Sequence, residues 1–301
     1  MRTHTRKRKT TSLGDKMFDI IVYFSLTIIA LIMIYPVLNV FAISLSPYKD
    51  TLLHPFMFFP RHLDFSAFKA VFTNNLIFSG YKNTLLVTIG GTILSVCMLI
   101  LTAYPLSRKE LRWKKGFMTY FLIVMVFSGG FVPEFIVMKS LGLYNTLWAL
   151  IIPFLCPIYN LILMKSFFES IPESLIESAK IDGAQEWHIL FKIMVPLSKP
   201  VIAAVSMFQA ILFWNDFFKA VIYLKDQVKW PLQLILREII AAADASFMNS
   251  GGNIAEVNMN LIPAKSLQYA SLIVVILPIL CVYPFVQKYF VKGVMIGSVK
   301  G

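Results

Sequence analysis

The sequence predicts an all-α integral membrane protein with six transmembrane helices, and three observations carry that prediction. The first is composition. Of 301 residues, 57% are hydrophobic and only 15% are charged, with a mean hydropathy of +0.71. Soluble domains carry roughly 25% charged residues, so this chain has too few charges to coat a water-facing surface. The second is segmentation, because six apolar stretches approach or exceed the roughly 20 residues a spanning helix needs. The third is the uneven placement of lysine and arginine, which orients those stretches.

The stretches are residues 17–45, 82–106, 116–138, 143–166, 198–223 and 267–291. The first follows Arg6-Lys7-Arg8-Lys9 and is too long for the apolar core of a signal peptide, so it is expected to remain as a membrane helix. Ser128-Gly129-Gly130 and Glu134 interrupt the third, and Pro153, Pro157 and Asn160 the fourth. Broken helices persist in a bilayer where protein or a watery cavity covers the freed backbone. Spans three and four are therefore expected to face a bundle interior. No repeat of fixed period is visible.

An even number of spans places both termini on one side. Basic residues crowd the N-terminal tail (residues 1–16), the connection holding Arg108, Lys109, Arg112, Lys114 and Lys115, the segment between spans four and five, and the C-terminal tail (residues 292–301). The positive-inside rule makes that side cytoplasmic. The net charge of +12 is read as a topology signal, with anionic lipid a secondary partner and nucleic acid excluded. Cys97, Cys156 and Cys281 lie singly in apolar runs, and the four histidines form no ligand set. No metal site is expected. The six-helix domain then covers 17–291, with a patterned cytoplasmic loop at 167–199 and a polar extracytoplasmic loop at 224–267.

The cytoplasmic loop is too regular for a linker. Ser170-Ile171-Pro172-Glu173 has the spacing of a capping box, Leu175, Ile176 and Ala179 recur at helical spacing, and Gly183 falls where a C-cap glycine belongs. A second helix is expected from Ala184 to about Val195, with Trp187, Leu190, Phe191 and Met194 on one side and Pro196 ending it. On residue pattern alone, this hairpin suits a membrane-surface element and a protein-docking element equally well.

Glu177-Ser178-Ala179, then Asp182-Gly183-Ala184, then Ile193, Val195 and Pro196 resemble the EAA loop of ABC importer permeases, E-A-A-x3-G-x9-I-x-L-P. Ser178 and Val195 depart from the pattern, both conservatively in size. Asn83-Thr84, Trp214-Asn215-Asp216 and the terminal Gly293…Gly297…Val299-Lys300-Gly301 are similar to the sugar branch, in particular the second permease of maltose-type importers and permeases for complex oligosaccharides. The resemblance implies a type I ABC importer permease fold in a bacterial cytoplasmic membrane. It also implies a second homologous permease forming a heterodimer, two cytoplasmic ATPase subunits and an extracytoplasmic solute-binding protein. Glu177, Ser178, Ala179, Asp182, Gly183, Ala184, Ile193 and Pro196 would couple to the ATPase. Loop 224–267 would reach the binding protein, and the C-terminal tail would touch the ATPase pair.

No G-x-x-x-x-G-K-[ST] loop occurs in the sequence. Nor does it hold a nucleophile, base or metal-ligand cluster of the kind an enzyme needs. The expectation is a transport subunit without its own ATPase site, with ATP and Mg held by the partner and no cofactor on this chain. Polar residues inside spans mark the pathway, namely Gln209, Phe213, Trp214, Asn215 and Asp216 in span five, Glu134 in span three and Asn160 in span four. Amides, carboxylates and aromatic faces suit a sugar. The same residues also suit helix packing and an outer aromatic belt.

The sequence therefore points to an importer subunit moving an oligosaccharide by alternating access. The alternatives are an importer of peptides, amino acids or other solutes, and an ATP-independent secondary transporter or channel. The EAA spacing and the absence of a charged relay within the spans speak against the last.

Overall fold

A computed structural model of the chain describes residues 13–54, 56–127, 129–249 and 266–281. All regular structure among them is helical. In chain order the helices are α1 (Leu13–Ser44), α2 (Tyr48–Leu53), α3 (Ser66–Thr73), α4 (Asn75–Ser107), α5 (Lys114–Val126), α6 (Phe131–Ser140), α7 (Trp148–Ile151) and α8 (Ile158–Glu169). They continue as α9 (Glu173–Ile181), α10 (Glu186–His188), α11 (Val195–Leu197), α12 (Lys199–Asn215), α13 (Phe218–Tyr223) and α14 (Leu232–Asn249), and end with α15 (Ser266–Cys281). Residues 1–12 of the N-terminal tail, the C-terminal tail, residues 282–291 of the sixth stretch, Ser128 and Ser250-Gly251-Gly252-Asn253 lie outside the described residues, and residues 13–16 belong to α1.

Among the described residues, two helices, Lys16–Ser44 and Asn75–Ser107, are each long and apolar enough to cross a bilayer, and the number rises to five if each of three bent pairs is one span. The first pair, α5 and α6, is interrupted between Val126 and Phe131. Gly130 there has φ +79°, a backbone that glycine adopts without strain. The second pair, α7 with its 3-10 extension and α8, bends by 48° at Leu155–Pro157. Asn145 at φ +60° and Gly142 at φ +70° turn the chain ahead of α7, so regular helix starts at Trp148 rather than at residue 143. The third pair turns by 80° at Ser198, between Pro196 and Pro200, neither of which has an N–H for a helix ladder.

Span five is shorter than expected. Rather than running from 198 to 223, it stops at Asn215 and resumes as α13. The Asp216 carboxylate accepts from the Lys219 N–H at 3.2 Å, the competition with the ladder that makes aspartate a helix starter. The reading of 224–267 as a polar loop also needs correction. After a 3-10 turn at Gln227–Lys229, α14 begins with Leu232, Leu234, Ile235 and Leu236, all buried. Its Arg237 lies over the Phe217 ring at 4.6 Å, so this charge is met within the fold.

The centre of the bundle is α4, packed by α8, α12 and α14. Between helices in a bilayer there is little hydrophobic driving force, so close packing of small residues matters more. Gly80, Gly91, Ser95 and Ala103 provide it. A Cβ added at Gly91 would meet the Phe213 ring at 2.8 Å, and one at Gly80 would meet Ile235 at 2.5 Å and the Leu232 backbone at 3.3 Å. By contrast, the window of α1 that would cross the bilayer is not buried against the chain at all. Contact is made near its end, where Ala42 and Ile43 cluster with Met57 and Tyr35 meets Phe58 edge-on at 5.0 Å.

Gly91→Leu is therefore expected to open the α4–α12 contact and cost about 1–3 kcal/mol. The check is the midpoint of detergent-induced unfolding against Gly90→Leu, since a Cβ at Gly90 meets nothing within 4 Å.

Candidate functional site

The hairpin at 170–198 is fixed to the bundle through one face. Ile176 on α9, with Ile189, Leu190 and Met194 beyond it, is buried against Leu99 and Ala103 of α4, Met164 and Phe168 of α8, and Val201 of α12. Where such side chains leave water, each contributes about 1.5–3 kcal/mol. Ala179 and Ala184 pack at the edge of this cluster.

The turn forms as Gly183 predicts. Its φ is +79°. The Ala184 N–H reaches the Ala179 carbonyl at 2.9 Å and the Gly183 N–H reaches that of Lys180 at 3.0 Å, the paired bonds of a Schellman motif. The expected capping box is absent. Ser170 Oγ instead donates to the Phe167 carbonyl at 2.7 Å, closing the end of α8, while the Glu173 carboxylate is taken by Lys109.

The second half departs from a plain α-helix. Residues Ile189–Met194 form a π-helical turn between α10 and α11. In that register Ile189 and Met194, five apart, share the buried side with Leu190, while Trp187 and Phe191 are exposed and stack on each other at 6.0 Å. Pro196 does not end the helix, which runs on to Leu197.

What remains outside spans both halves of the hairpin: Leu175, Ile181 (86% exposed), Trp187 and Phe191 are exposed, as are Glu177, Ser178 and Asp182. Ser178 Oγ donates back to the Ser174 carbonyl at 2.8 Å. Ile193 is half-buried, whereas Gly183 and Pro196 are exposed. The α4–α5 connection borders the hairpin, with Lys109 pairing Glu173, and Lys114 and Lys165 each 2.8 Å from Glu169.

The pathway candidates separate into two groups. Gln209 is fully buried and its amide donates to Ser95 Oγ, with the carbonyl oxygen lacking a partner among the described residues. Phe213 is buried against Gly91 and meets Phe154 edge-on at 6.0 Å. Trp214 is buried among Val71, Ile77 and Leu232, and Asn160 is buried in the first turn of α8. Asn215 is exposed and bonds the Ile211 carbonyl at 3.0 Å. These residues are not gathered around one opening.

Glu134 does line one. A cleft of about 520 Å3 lies between α6 and α13, bounded by Gly129, Gly130, Phe131, Glu134, Phe218, Lys219 and Tyr223. Glu134 accepts from the Tyr223 hydroxyl at 3.0 Å and pairs with Lys219 at 3.2 Å. The Lys219 ammonium also sits 3.3 Å from the centre of the Phe154 ring, and Asp216 lies beside it through the Lys219 N–H. A charged cluster thus exists among spans read as having no charge relay. Lys219 was the available signal, since a lysine within an apolar stretch is costly unless paired. Tyr223 carried none. The cleft combines carboxylate, ammonium, phenol and aromatic edges, a set able to bind hydroxyls.

Asn83 and Thr84 act elsewhere. Asn83 donates to the Val228 carbonyl at 2.8 Å and that of Trp230 at 3.2 Å, and Thr84 Oγ1 accepts from the Leu232 N–H at 2.8 Å. The pair seats the start of α14 on α4. Nearby, Asn145 accepts from the N–H groups of Lys225 and Asp226, both at 3.1 Å. Among the described residues no group of three or more His, Cys, Asp and Glu side chains is placed to hold a metal ion.

The family described as "Binding-protein-dependent transport system inner membrane component" matches residues 6–296. The polygalacturonan/rhamnogalacturonan transport system permease protein YtcP of Bacillus subtilis is 39% identical, over 95% of this chain and 99% of its own. Protein LplC of the same organism is 37% identical over 96% of each chain. A crystal structure of a bacterial ABC transporter involved in the import of the acidic polysaccharide alginate contains a similar chain. Its TM-score is 0.84 and its identity 33%, covering 93% of this chain and 98% of that one.

The charges around the hairpin give it a defined pH window. The Tyr104 hydrogen bond, then Lys180, holds the Glu186 carboxyl below its ordinary value, and Glu173 holds Lys109 above its own. A depressed carboxyl contributes stability above about pH 4.3 that is lost as pH falls through the lowered value, and a raised lysine contributes below about pH 10.4 until pH rises past it. Both groups are solvent-exposed and such pairs add little to stability, so protease cleavage within 173–197 should stay flat from about pH 5 to 10 and rise only slightly below about pH 4.3 or above about pH 10.4.

Proposed function

This chain belongs to the binding-protein-dependent transport system inner membrane component family, and from that premise we propose that it carries an oligosaccharide across a bacterial cytoplasmic membrane as one permease of an ATP-driven importer. Six spans with cytoplasmic termini, working by alternating access, are part of this reading. The shared end of the hairpin and the basic α4–α5 connection supports that orientation, because both are then inside. The partners are a second homologous permease, two ATPase subunits holding ATP and Mg, and an extracytoplasmic solute-binding protein.

The observation that carries the proposal is the hairpin. A segment pinned on one side and closed by a Schellman turn displays Leu175, Ile181, Trp187 and Phe191 to its surroundings, together with Glu177 and Asp182. Exposed apolar and acidic side chains together suit docking to a protein, and a rigid element passes on a rigid-body displacement. The polysaccharides named for YtcP and for the alginate transporter, together with a cleft able to engage hydroxyls, favour a saccharide cargo. The Glu134–Lys219 pair is also the kind of group an ion-coupled secondary transporter uses. Uptake into vesicles without ATP would favour that reading.

The test is to purify the assembled complex with its binding protein and screen oligosaccharides, uronic acid polymers among them, for stimulated ATP hydrolysis in lipid. A sugar is expected to stimulate. A response to peptides and to no sugar would remove the cargo assignment.

Gly183→Val should lower sugar-stimulated hydrolysis and uptake together. The left-handed backbone costs a non-glycine residue about 1–2 kcal/mol, although the space around it is open. Gly183→Asn should recover most of the loss, since asparagine tolerates that backbone. Parent-level transport by the valine variant would refute the expectation.

A further inference from the structure

Behind the hairpin's apolar contact lies a polar ring that no residue pattern in the sequence had indicated. The Tyr104 hydroxyl, on the last turn of α4, donates to the Glu186 carboxylate on α10. Glu186 pairs with Lys180 of α9 at 3.1 Å, and Lys180 reaches Glu110 of the α4–α5 connection at 3.4 Å. Glu110 meets Arg108 at 3.5 Å, and the Arg108 guanidinium lies 5.9 Å from the centre of the Tyr104 ring, which closes the circuit. Five side chains thus join α4, the connection after it and both halves of the hairpin. Tyr104 is 8% exposed and the Arg108 side chain 13%, whereas Glu110, Lys180 and Glu186 are open to solvent.

Exposed ion pairs add little to stability, and the apolar cluster already secures the hairpin. That cluster is non-directional, however. It resists withdrawal of the hairpin but not its sliding or rotation against α4. Hydrogen bonds have preferred directions, and the ring supplies several around the rim of the same contact.

We propose that Tyr104 and Glu186, closed through Lys180, Glu110 and Arg108, are positioning residues that make the hairpin and α4 move as one body, and so set how much solute is carried per ATP. The inference rests on the reading that the hairpin receives force from an ATPase. It adds the route by which that force enters the central span.

The experiment uses the complete complex in vesicles, with Tyr104→Phe, Glu186→Ala and Glu186→Gln compared against the parent. Uptake per ATP hydrolysed should fall about fivefold in the first two, the factor equivalent to the ~1 kcal/mol of one hydrogen bond. Complex assembly and thermal midpoint should remain at the parent level. Glu186→Gln keeps an acceptor for the Tyr104 hydroxyl and should lie closer to the parent. In a background lacking Cys97, Cys156 and Cys281, a Tyr104→Cys/Glu186→Cys pair should be uncoupled until a short bis-maleimide joins the two thiols. An unchanged ratio in Tyr104→Phe and Glu186→Ala, or a lowered ratio that the linker fails to restore, overturns the proposal. Trp187→Cys cross-linking to the ATPase separates the two levels. If that cross-link is absent, the coupling reading fails first. If it is present with a parent-like ratio, the ring alone is refuted.

Discussion

The contact on which the rest of the molecule depends is the apolar weld between the hairpin and the bundle. Ile176, Ile189, Leu190 and Met194 enter a cluster built by Leu99, Ala103, Met164, Phe168 and Val201. In the proposed orientation, one side of that cluster lies in the bilayer and the other is a hairpin beyond it. The first side is held by close packing of small and apolar residues, and the second by exclusion of water. Their meeting point holds the hairpin against the helices it packs on. This buried face keeps the hairpin against the bundle, and the ring through Tyr104, Glu186, Lys180, Glu110 and Arg108 at its rim gives the exposed residues from Leu175 to Phe191 their direction.

Helix α4 extends the same logic along its length. Near the hairpin it contributes Leu99, Ala103 and Tyr104, in the middle Ser95 meets Gln209 and Gly91 meets Phe213, and at the far end Asn83, Thr84 and Gly80 receive the start of α14. Each contact uses different chemistry, apolar, amide-to-hydroxyl, ring-to-glycine and side chain-to-backbone, yet all lie on one helix. The resemblance of Asn83-Thr84 to a sugar-importer signature thereby has a structural meaning, since the pair holds a backbone segment 145 or more residues away in sequence.

Much of this was legible in the sequence where a residue type imposes its own backbone. The breaks at Gly129-Gly130 and Pro157 and the turn at Gly183 follow from glycine and proline alone, and α1 and α4 follow from long apolar runs. The errors arose where a tertiary partner decided the outcome. The expected grouping of Trp187, Leu190, Phe191 and Met194 on one side is not kept because a π turn rotates the register, so that Ile189 joins Leu190 and Met194 inside while Trp187 and Phe191 are exposed. Residues from Leu232 onward read as polar loop because Arg237 finds an aromatic face that composition does not reveal. At the cleft, Glu134 is visible in the sequence as an isolated carboxylate, whereas its pairing with Lys219 depends on α6 and α13 coming together.

The near-complete separation of α1 from the remaining helices bears on how such a chain is made. A helix whose bilayer-crossing window is not buried among the described residues gains little help from them in entering the membrane. Its insertion must proceed on the transfer free energy of its own side chains, as an independent first stage of assembly. Its lasting lateral neighbour is then chosen only after synthesis, by whatever hydrocarbon or protein surface it meets in the plane of the membrane.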